Sequence, residues 1–299
     1  MPAVSVILAA YQAEATIGRS LQALREQTFR DFEVIIIDSS PDAACERIVT
    51  AQFGEFRYER AQKRLSDDAA RNRGIKLAAA PLIATTDPDA YARGDWLENL
   101  VKAHNRRGGL VVGGVACHGT RWLDLGVHLC KFDKWLPRSS ARRLNDGPTV
   151  NMFFARSLLD SVGGVLADGH GDTDLCWRLR QKGHELWFAP NAVVEHHHLH
   201  TWRSFLSERL QRGREFGQLR LRWHRLSGSR VAWRLTITLL PARLLSQMLR
   251  VGKNAAEAGA LSAYFWTLPI VASGLYSWLL GEARTYMKPM PAGARPSNE

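Results

Sequence analysis

Apolar and polar residues follow two periods in turn along the first 115 positions of the chain. Residues 4–9 and 33–38 are short, almost continuous apolar runs, which are typical of strands covered on both faces of a sheet. Between them, residues 16–27 repeat apolar side chains at helical spacing. Since residues 110–115 return to a strand pattern, the sequence predicts an α/β fold with a mainly parallel central sheet flanked by helices.

Two further helices are predicted inside this alternating region. Residues 67–79 are helical by composition, and Arg71 and Arg73 place charge near the middle, on either a solvated face or a binding surface. Asp95 directly precedes an apolar helical pattern that begins at Trp96, so we expect its carboxylate to cap that helix.

Periodicity is lost over residues 117–148, where turn-forming residues mix with tryptophans and a basic cluster. Long irregular segments in compact domains are usually functional loops or mobile lids. We therefore expect this segment to form part of the acceptor side of a binding site.

A short β-run at residues 81–86 stops on two carboxylates, Asp87 and Asp89. Side chains at positions i and i+2 of an extended segment point the same way, so the two acids could share one hard divalent cation. An Asp-Pro-Asp triplet is also ordinary turn chemistry. Both interpretations remain open for the triplet taken alone.

Another pair of acids lies where a glycine-rich turn, beginning at residue 168, enters a helix. Asp172 and Asp174 fall in the first helical turn, where the helix dipole favours carboxylates. They are interpreted either as capping residues or, for one of them, as a general base facing a cleft.

Four histidines follow a predicted strand: His196, His197, His198 and His200. Alternate residues of a strand share a face, but His196, His198 and His200 could not all ligate one ion without strong twisting. A solvated cluster is the alternative, and neither a cysteine pair nor a His-Glu-x-x-His motif supports zinc.

Composition limits the classes of binding partner and the cellular compartment that we expect for this protein. The chain has 299 residues, 45% of them hydrophobic, and a formal net charge of +11. That charge predicts attraction to polyanions: nucleic acid, nucleotide phosphates or anionic lipid. The four cysteines form no Cys-x-x-Cys pair, which favours buried thiols over disulfides. No signal-peptide pattern follows Met1, so we expect the catalytic part to stay in the cytoplasm.

The last third of the sequence is basic and apolar. Residues 203–253 interleave arginines with Leu, Trp and Phe, and residues 259–281 contain no charged side chain. Pro269 interrupts the second stretch, and basic residues flank it on both sides, so a single crossing is not favoured. A helical hairpin lying in the membrane surface is predicted, with packing as a core or dimer helix as the alternative.

Taken in order, these segments resemble the family-two inverting glycosyltransferases of the GT-A fold, of the bacterial type with C-terminal membrane-associated helices. The similarity runs over residues 4–213. It is carried by the following motifs: Val-Ser-Val-Ile-Leu-Ala-Ala-Tyr11, Val-Ile-Ile-Ile-Asp38, Ala-Ala-Arg71-Asn72-Arg73-Gly74-Ile, Thr-Asp87-Pro-Asp89, Asn151-Met-Phe-Phe-Ala-Arg156, Gly-Asp172-Thr-Asp174-Leu-Cys-Trp-Arg178-Leu, and residues 190–196.

The resemblance implies a donor site and a metal site. By it, Asp87 and Asp89 hold Mg²⁺ or Mn²⁺ against the diphosphate of a nucleotide-sugar, and His196 completes the metal shell. Asp172 corresponds to the general base. The residues that match donor-binding positions are Ala10, Tyr11, Asp38, Arg73 and Asp87.

Three departures from the family pattern bear on these roles. Ala9 stands where the first strand often ends in Pro, and Ser39 replaces a second acid. Gly171 replaces the Glu that usually precedes the base, which leaves the base open between Asp172 and Asp174. The Gln-x-x-Arg-Trp motif of processive synthases is missing at its spacing, which favours transfer of one sugar per encounter.

The sequence therefore predicts a GT-A domain over residues 1–226 and a helical, membrane-associated region over residues 227–299. The expected activity is metal-dependent inverting transfer of one sugar to a glycan or lipid-linked acceptor, at the cytoplasmic face of the plasma membrane. The alternative is an inactive GT-A domain that binds nucleotide or glycan at the membrane. No nucleic-acid-binding motif accompanies the basic residues. The sugar, the nucleotide and the oligomeric state are left open.

Overall fold

A computed structural model describes residues 1–165 and 170–288 of the chain. Its eight strands form one sheet in the order β3-β2-β1-β4-β7-β6-β8-β5. The strands are β1 (Val4–Ala10), β2 (Phe32–Asp38), β3 (Arg57–Arg60), β4 (Leu82–Thr86), β5 (Ala90–Ala92), β6 (Leu110–Cys117), β7 (Met152–Ala155) and β8 (Leu186–His196).

Twelve α-helices are found in the described residues, with short 3-10 turns at Asp133–Trp135 and Thr149–Asn151. The helices are α1 (Ile17–Arg25), α2 (Ala44–Gln52), α3 (Asp67–Leu77), α4 (Trp96–Arg107), α5 (Trp122–Phe132), α6 (Arg156–Asp160), α7 (Gly171–Gln181), α8 (Trp202–Trp223), α9 (Ser229–Leu239), α10 (Pro241–Glu257), α11 (Leu261–Trp266) and α12 (Leu268–Met287).

The sheet is mixed: three of its parallel pairs lie where parallel strands were predicted, and β6 forms a fourth parallel pair with β8. Strand β1 pairs in parallel with β2 and β4, and β2 pairs in parallel with β3. Strand β7 runs antiparallel to both β4 and β6, and β5 runs antiparallel to β8. The sequence pattern did not indicate these reversals, because a strand's periodicity carries no direction.

Helix α3 packs closely on the centre of the sheet. Gly74 lies against the side chain of Ile7 on β1, and a Cβ at this position would come within 2.6 Å of the Ile7 Cγ2 atom. This close approach sets the height of α3 above the carboxyl ends of β1 and β4, where the predicted site residues lie.

Two local predictions were wrong. Residues 117–148 are not wholly irregular, because they include α5, which is buried around most of its circumference. Its polar residues Asp124 and His128 are buried as well, so the helix lacks the solvated face that marks a surface helix in a sequence. Asp95 does occupy the position before α4, but its side chain makes no capping hydrogen bond.

The C-terminal helices share a second apolar core with α5. In this core Val127 and Phe205 pack with Val251 and Val271, and all four side chains are buried. Helix α12 lies against α8, where Gly213 meets the backbone of Trp278 with no room for a Cβ. For α12, the structure therefore has the packing that the sequence analysis gave as the alternative to a hairpin lying in the membrane surface.

The uncharged stretch at residues 259–281 is divided between two helices. Helix α11 ends at Trp266, and α12 begins at Leu268 with Pro269 in its first turn, where proline is tolerated. Among the helices of residues 1–165 and 170–288, none combines the length and hydropathy that crossing a bilayer requires. The four cysteines are free thiols, as predicted.

Candidate active site

The Asp-Pro-Asp segment forms a tight turn between β4 and β5. The backbone N–H of Ala90 donates to the carbonyl of Asp87 at 3.1 Å. The buried hydroxyl of Ser20, on α1, lies 3.1 Å from the carbonyl of Ala90 and 3.3 Å from that of Asp87. The segment is therefore a turn whose geometry is fixed by a neighbouring helix, and its two carboxylates are held at the edge of the sheet.

Strand register brings His196 to this turn. Strand β5 pairs with the end of β8 so that Ala90 lies opposite His196. As a result, one ligand atom each from Asp87, Asp89 and His196 lies within 4.8 Å of the others. The structure thus groups the three residues that were predicted to hold a metal.

The chemistry of this group suits a hard divalent cation. Burial and the neighbouring charge of Asp87 raise the pKa of Asp89 to about 7. Burial lowers the pKa of His196 to about 4, so its imidazole is neutral at pH 7. Its Nε2 atom lies 3.7 Å from the Asp89 Oδ1 atom. Two crowded carboxylates and a neutral imidazole form a donor set that a cation would satisfy.

A buried arginine, Arg71 of α3, pairs with the first carboxylate. Its guanidinium lies 2.5 Å from Asp87 and 3.3 Å from Asp68. Arg73, the residue predicted near the donor, instead pairs with Glu59 and is more exposed. Residues two apart on a helix point about 200° away from each other, so only one of these arginines can face the cleft. Sequence reasoning missed Arg71 because composition alone did not give the rotation of α3.

The predicted nucleoside-binding residues lie at the ends of β1 and β2. Ala10 and Asp38 are opposite each other in the sheet, and both are buried. The carboxylate of Asp38 accepts hydrogen bonds from the Ser40 hydroxyl at 2.6 Å and the Tyr58 hydroxyl at 2.6 Å. Of these three residues, only Ser40 lines a cavity, so the carboxylate of Asp38 is a buried hydrogen-bond acceptor behind the cavity wall.

Next to these strand ends is a cavity of about 490 Å³. Tyr11 forms part of its wall, and the guanidinium of Arg64 stacks 4.2 Å from the Tyr11 ring centroid. The cavity is lined by Tyr11, Ser39, Ser40, Pro41, Arg60, Ala61, Gln62, Lys63 and Arg64. Tyr11 and Arg64 also line the larger cavity described next, so the two cavities are adjacent.

The second cavity, of about 930 Å³, extends from the Asp-Pro-Asp turn, called the carboxylate turn below, to the start of α7. Asp87, His196 and Asp172 all line it. Asp89, Asp38, Arg73 and Asp174 are not among its lining residues. Its far wall consists of α8, α10 and α12, which the sequence did not assign to the site.

The two acids of α7 have different surroundings. Asp172 is partly exposed to the cavity, and its Oδ1 atom accepts a hydrogen bond from the Thr173 N–H at 2.6 Å. Asp174 is buried and pairs with Arg178 at 2.6 Å. Arg178 also donates to the carbonyl of Gly164 at 2.7 Å. Asp174 thus belongs to a structural network, whereas Asp172 has access to the cavity; residues 168 and 169 of the preceding turn lie outside the described part.

The histidine segment contributes to a second group of possible ligands. Cys117, His128 and His198 each place one ligand atom within 4.8 Å of the others. The sequence indicated no cysteine partner for these histidines, because β6, α5 and the end of β8 come together only in the fold. The His128 Nδ1 and His198 Nε2 atoms are 3.1 Å apart.

Comparison with known proteins assigns the family. The model of glycosyl transferase family 2 matches residues 5–160, slightly more than half of the chain. The chain belongs to glycosyl transferase family 2. The matched residues include β1 to β7 and both acids of the carboxylate turn, and they end before α7.

Individual family-2 relatives are distant. The chain is 27% identical to glycosyltransferase AglE of Haloferax volcanii over 209 residues, which is 66% of this chain and 67% of AglE. It is 28% identical to the pre-mycofactocin glycosyltransferase of Mycobacterium tuberculosis over 238 residues, 70% of this chain and only 49% of that protein.

The fold is that of a solved glycosyltransferase. The mannosyltransferase PcManGT from Pyrobaculum calidifontis, in complex with GDP-Man and Mn²⁺, superposes with a TM-score of 0.62 at 20% identity. The match covers 96% of this chain and 87% of that one. Since it extends over nearly the whole chain, it includes the C-terminal helices as well as the sheet.

Proposed function

We propose that this family-2 protein moves one sugar from a nucleotide-diphosphate sugar to a hydroxyl group of a lipid-linked or other membrane acceptor. The observation that carries the proposal is the grouping of Asp87, Asp89 and His196 at the cavity that Asp172 also lines. Asp87, Asp89 and His196 suit the diphosphate end of a donor, whereas Asp172 suits the acceptor hydroxyl.

Asp87, Asp89 and His196 would hold Mg²⁺ or Mn²⁺. PcManGT, with the same fold, is in complex with GDP-Man and Mn²⁺, which supports this assignment. When bound, the ion offsets the negative charge that builds on the departing nucleoside diphosphate. The ion pair with Arg71 fixes the orientation of the Asp87 carboxylate.

The nucleoside is assigned to the smaller cavity. Tyr11 and Arg64 form a stacked wall there, and Ser40 and Tyr58 hold Asp38 beneath it. Because Tyr11 and Arg64 also border the larger cavity, a nucleotide placed this way directs its diphosphate toward Asp87.

Asp172 acts as the general base. It takes the proton of the acceptor hydroxyl while that oxygen attacks the anomeric carbon. The bond from the anomeric carbon to the diphosphate oxygen breaks, and its electron pair leaves with the nucleoside diphosphate. Attack from the face opposite the leaving group inverts the configuration in a single step.

Attachment to the cytoplasmic face of the membrane is part of the proposal. Large apolar side chains are exposed on α9, α10 and α11, among them Trp233, Leu249 and Phe265, each about two-thirds exposed (66%, 65% and 64%). Together with the chain's net charge of +11, they suit a surface of anionic lipid.

The test of the metal site compares three single substitutions. Asp87→Ala and Asp89→Ala should each abolish Mn²⁺-dependent binding of the nucleotide, measured by calorimetry with UDP and GDP. Asp95→Ala removes an exposed acid that makes no capping bond, and should bind as the unchanged protein does. Unchanged nucleotide affinity in both cleft variants would overturn the metal assignment.

A further inference from the structure

Beyond Asp172, the larger cavity continues into a chamber between α8, α10 and α12. Polar side chains of two of these helices line it: Arg209, Arg212 and Arg220 from α8, and Arg243, Gln247 and Arg250 from α10. The interaction between Arg212 and Asp172 raises the pKa of Arg212 against the effect of its burial. Arg212 therefore marks the junction between the proposed base and the chamber.

Helix α10 presents a polar stripe to this chamber. Arg243, Gln247 and Arg250 are spaced four and three residues apart, which puts them on one face of the helix. Leu245 and Leu249 lie on the opposite face and are exposed. The apolar residues with which α10 packs on the second core lie on a different face of the helix, so covering that core does not explain the polar stripe.

Several of the polar groups in the chamber have no counterpart. Within the described residues, the buried Nε atoms of Arg209 and Arg243 and the buried Oε1 atom of Gln247 have no hydrogen-bond partner. Buried polar atoms in proteins are nearly always paired, because each unmade bond carries a desolvation cost. Three such atoms along one cavity make it suited to a polar ligand.

Positive charge in the chamber exceeds the acids that neutralise it. Arg212, Arg220 and Arg250 have carboxylate partners at 3.5, 3.0 and 3.3 Å. Arg209 lies over the Trp278 ring, and neither it nor Arg243 pairs with an acid in residues 1–165 and 170–288. Burial lowers the pKa of Arg243, and the nearby Arg220 lowers it further although Glu282 opposes the change.

We propose that this chamber binds a phosphate or diphosphate group carried by the acceptor. Guanidinium groups are suited to phosphate oxygens because they combine charge with a planar array of donors. The chamber wall also includes the apolar side chains of Leu275 and Trp278, which favours a phosphate with an attached lipid. This inference rests on the proposed function, since it assigns the acceptor end of the same cleft.

The test uses farnesyl diphosphate, farnesol and inorganic pyrophosphate as probes in calorimetry of the full-length protein, with EDTA present. Farnesyl diphosphate should bind, and Arg243→Gln should weaken that binding about tenfold or more, the effect of one lost charged contact. Arg243→Lys should give an intermediate affinity. Arg230→Gln removes an equal charge from an exposed position and should bind as the unchanged protein does.

Two cross-checks separate this inference from the proposed function. Asp89→Ala should keep farnesyl diphosphate binding while losing Mn²⁺-dependent nucleotide binding, and Arg243→Gln should show the reverse, which also establishes that it is folded. Equal binding of the lipid probe by Arg243→Gln, its loss in Asp89→Ala, or equal binding of farnesol would each overturn the inference. If pyrophosphate binds as tightly and also needs Arg243, the anion site is supported but belongs to the free ion rather than to a lipid.

Discussion

At the scale of single residues, the surroundings of two neighbouring acids separate the proposed base from a structural acid. Asp172 and Asp174 are two positions apart on α7, yet one borders the cavity and the other is buried against Arg178. The sequence could not distinguish them, because both positions suit the first turn of a helix. The distinction comes from the network around Arg178, which joins α7 to the carbonyls of a distant loop.

Asp172→Asn should reduce turnover by a factor on the order of 10² to 10⁴, the usual contribution of a positioned base. Nucleotide affinity in Mn²⁺ should stay nearly unchanged, because the substitution is isosteric and lies outside the metal group. The measurement is steady-state transfer together with calorimetry. If the unchanged protein binds nucleotide but shows no turnover, the alternative of an inactive GT-A domain is supported instead.

Asp174→Asn should instead lower the midpoint of thermal unfolding. The substitution leaves the partly buried Arg178 guanidinium without its charged partner, and removing one member of a fully buried pair costs about 3–5 kcal/mol, which is the upper bound here. At temperatures well below the new midpoint, turnover per folded molecule should be close to normal. Loss of turnover in this variant with retention in Asp172→Asn would assign the base to Asp174.

At the scale of elements, strand ends were predictable and their partners were not. Residues 4–9, 33–38 and 81–86 gave β1, β2 and β4, because continuous apolar runs require burial on both faces. The place of α5 depends on contacts with α12, far along the chain, so no local pattern could indicate it. The same is true of β5, whose pairing with β8 places His196 beside the carboxylate turn.

The elements that meet around α5 also bury several histidines. Burial lowers the pKa of His128 to about 3, whereas the same residue titrates near 6.5 in the unfolded chain. Unfolding then takes up a proton below about pH 6.5, so stability should fall as the pH is lowered. For His128 alone, the free energy of unfolding should decrease by about 1.4 kcal/mol per pH unit down to its folded pKa.

Urea unfolding between pH 7.5 and pH 5 in EDTA measures this slope. Below about pH 6.5, His128→Gln should make the slope shallower by about 1.4 kcal/mol per pH unit, and above that pH it should change the slope little. At pH 7.5 the stability of the variant reports only the loss of packing and hydrogen bonds. An unchanged slope in the variant would mean that His128 does not stay neutral in the folded protein at these pH values.

At the scale of the whole molecule, the C-terminal helices have both packed and exposed faces. The sequence indicated their basic and apolar character, but it could not tell which face is covered. In the structure α12 is packed on α8 and α5, while α9, α10 and α11 keep large apolar side chains exposed. Removing everything after residue 229 would therefore expose the second core as well as delete the proposed membrane-binding surface.

Full-length protein should sediment with vesicles of phosphatidylglycerol and phosphatidylcholine at low salt, and less with phosphatidylcholine alone. The combined change of Trp233, Leu245 and Leu249 to Ser should abolish sedimentation, because each inserted side chain contributes about 1.5–3 kcal/mol. Leu199→Ser, at an exposed leucine between β8 and α8, is the control. Protein that stays in the supernatant with anionic vesicles would contradict the attachment.

The thickness of helix α10 sets the distance between the chamber and the proposed membrane-binding surface. Leu245 and Leu249 point away from Arg243 and Arg250, so a single helix, about 10 Å across, separates the two sets of side chains. If the leucines rest on a bilayer, a phosphate held by the arginines lies only that far from the headgroup layer. An acceptor lipid could then present its headgroup at the cleft while its tail stays in the membrane. The distance from that phosphate to Asp172 would then determine acceptor specificity. Only an acceptor with a matching distance between its phosphate and its reacting hydroxyl would place that hydroxyl at Asp172.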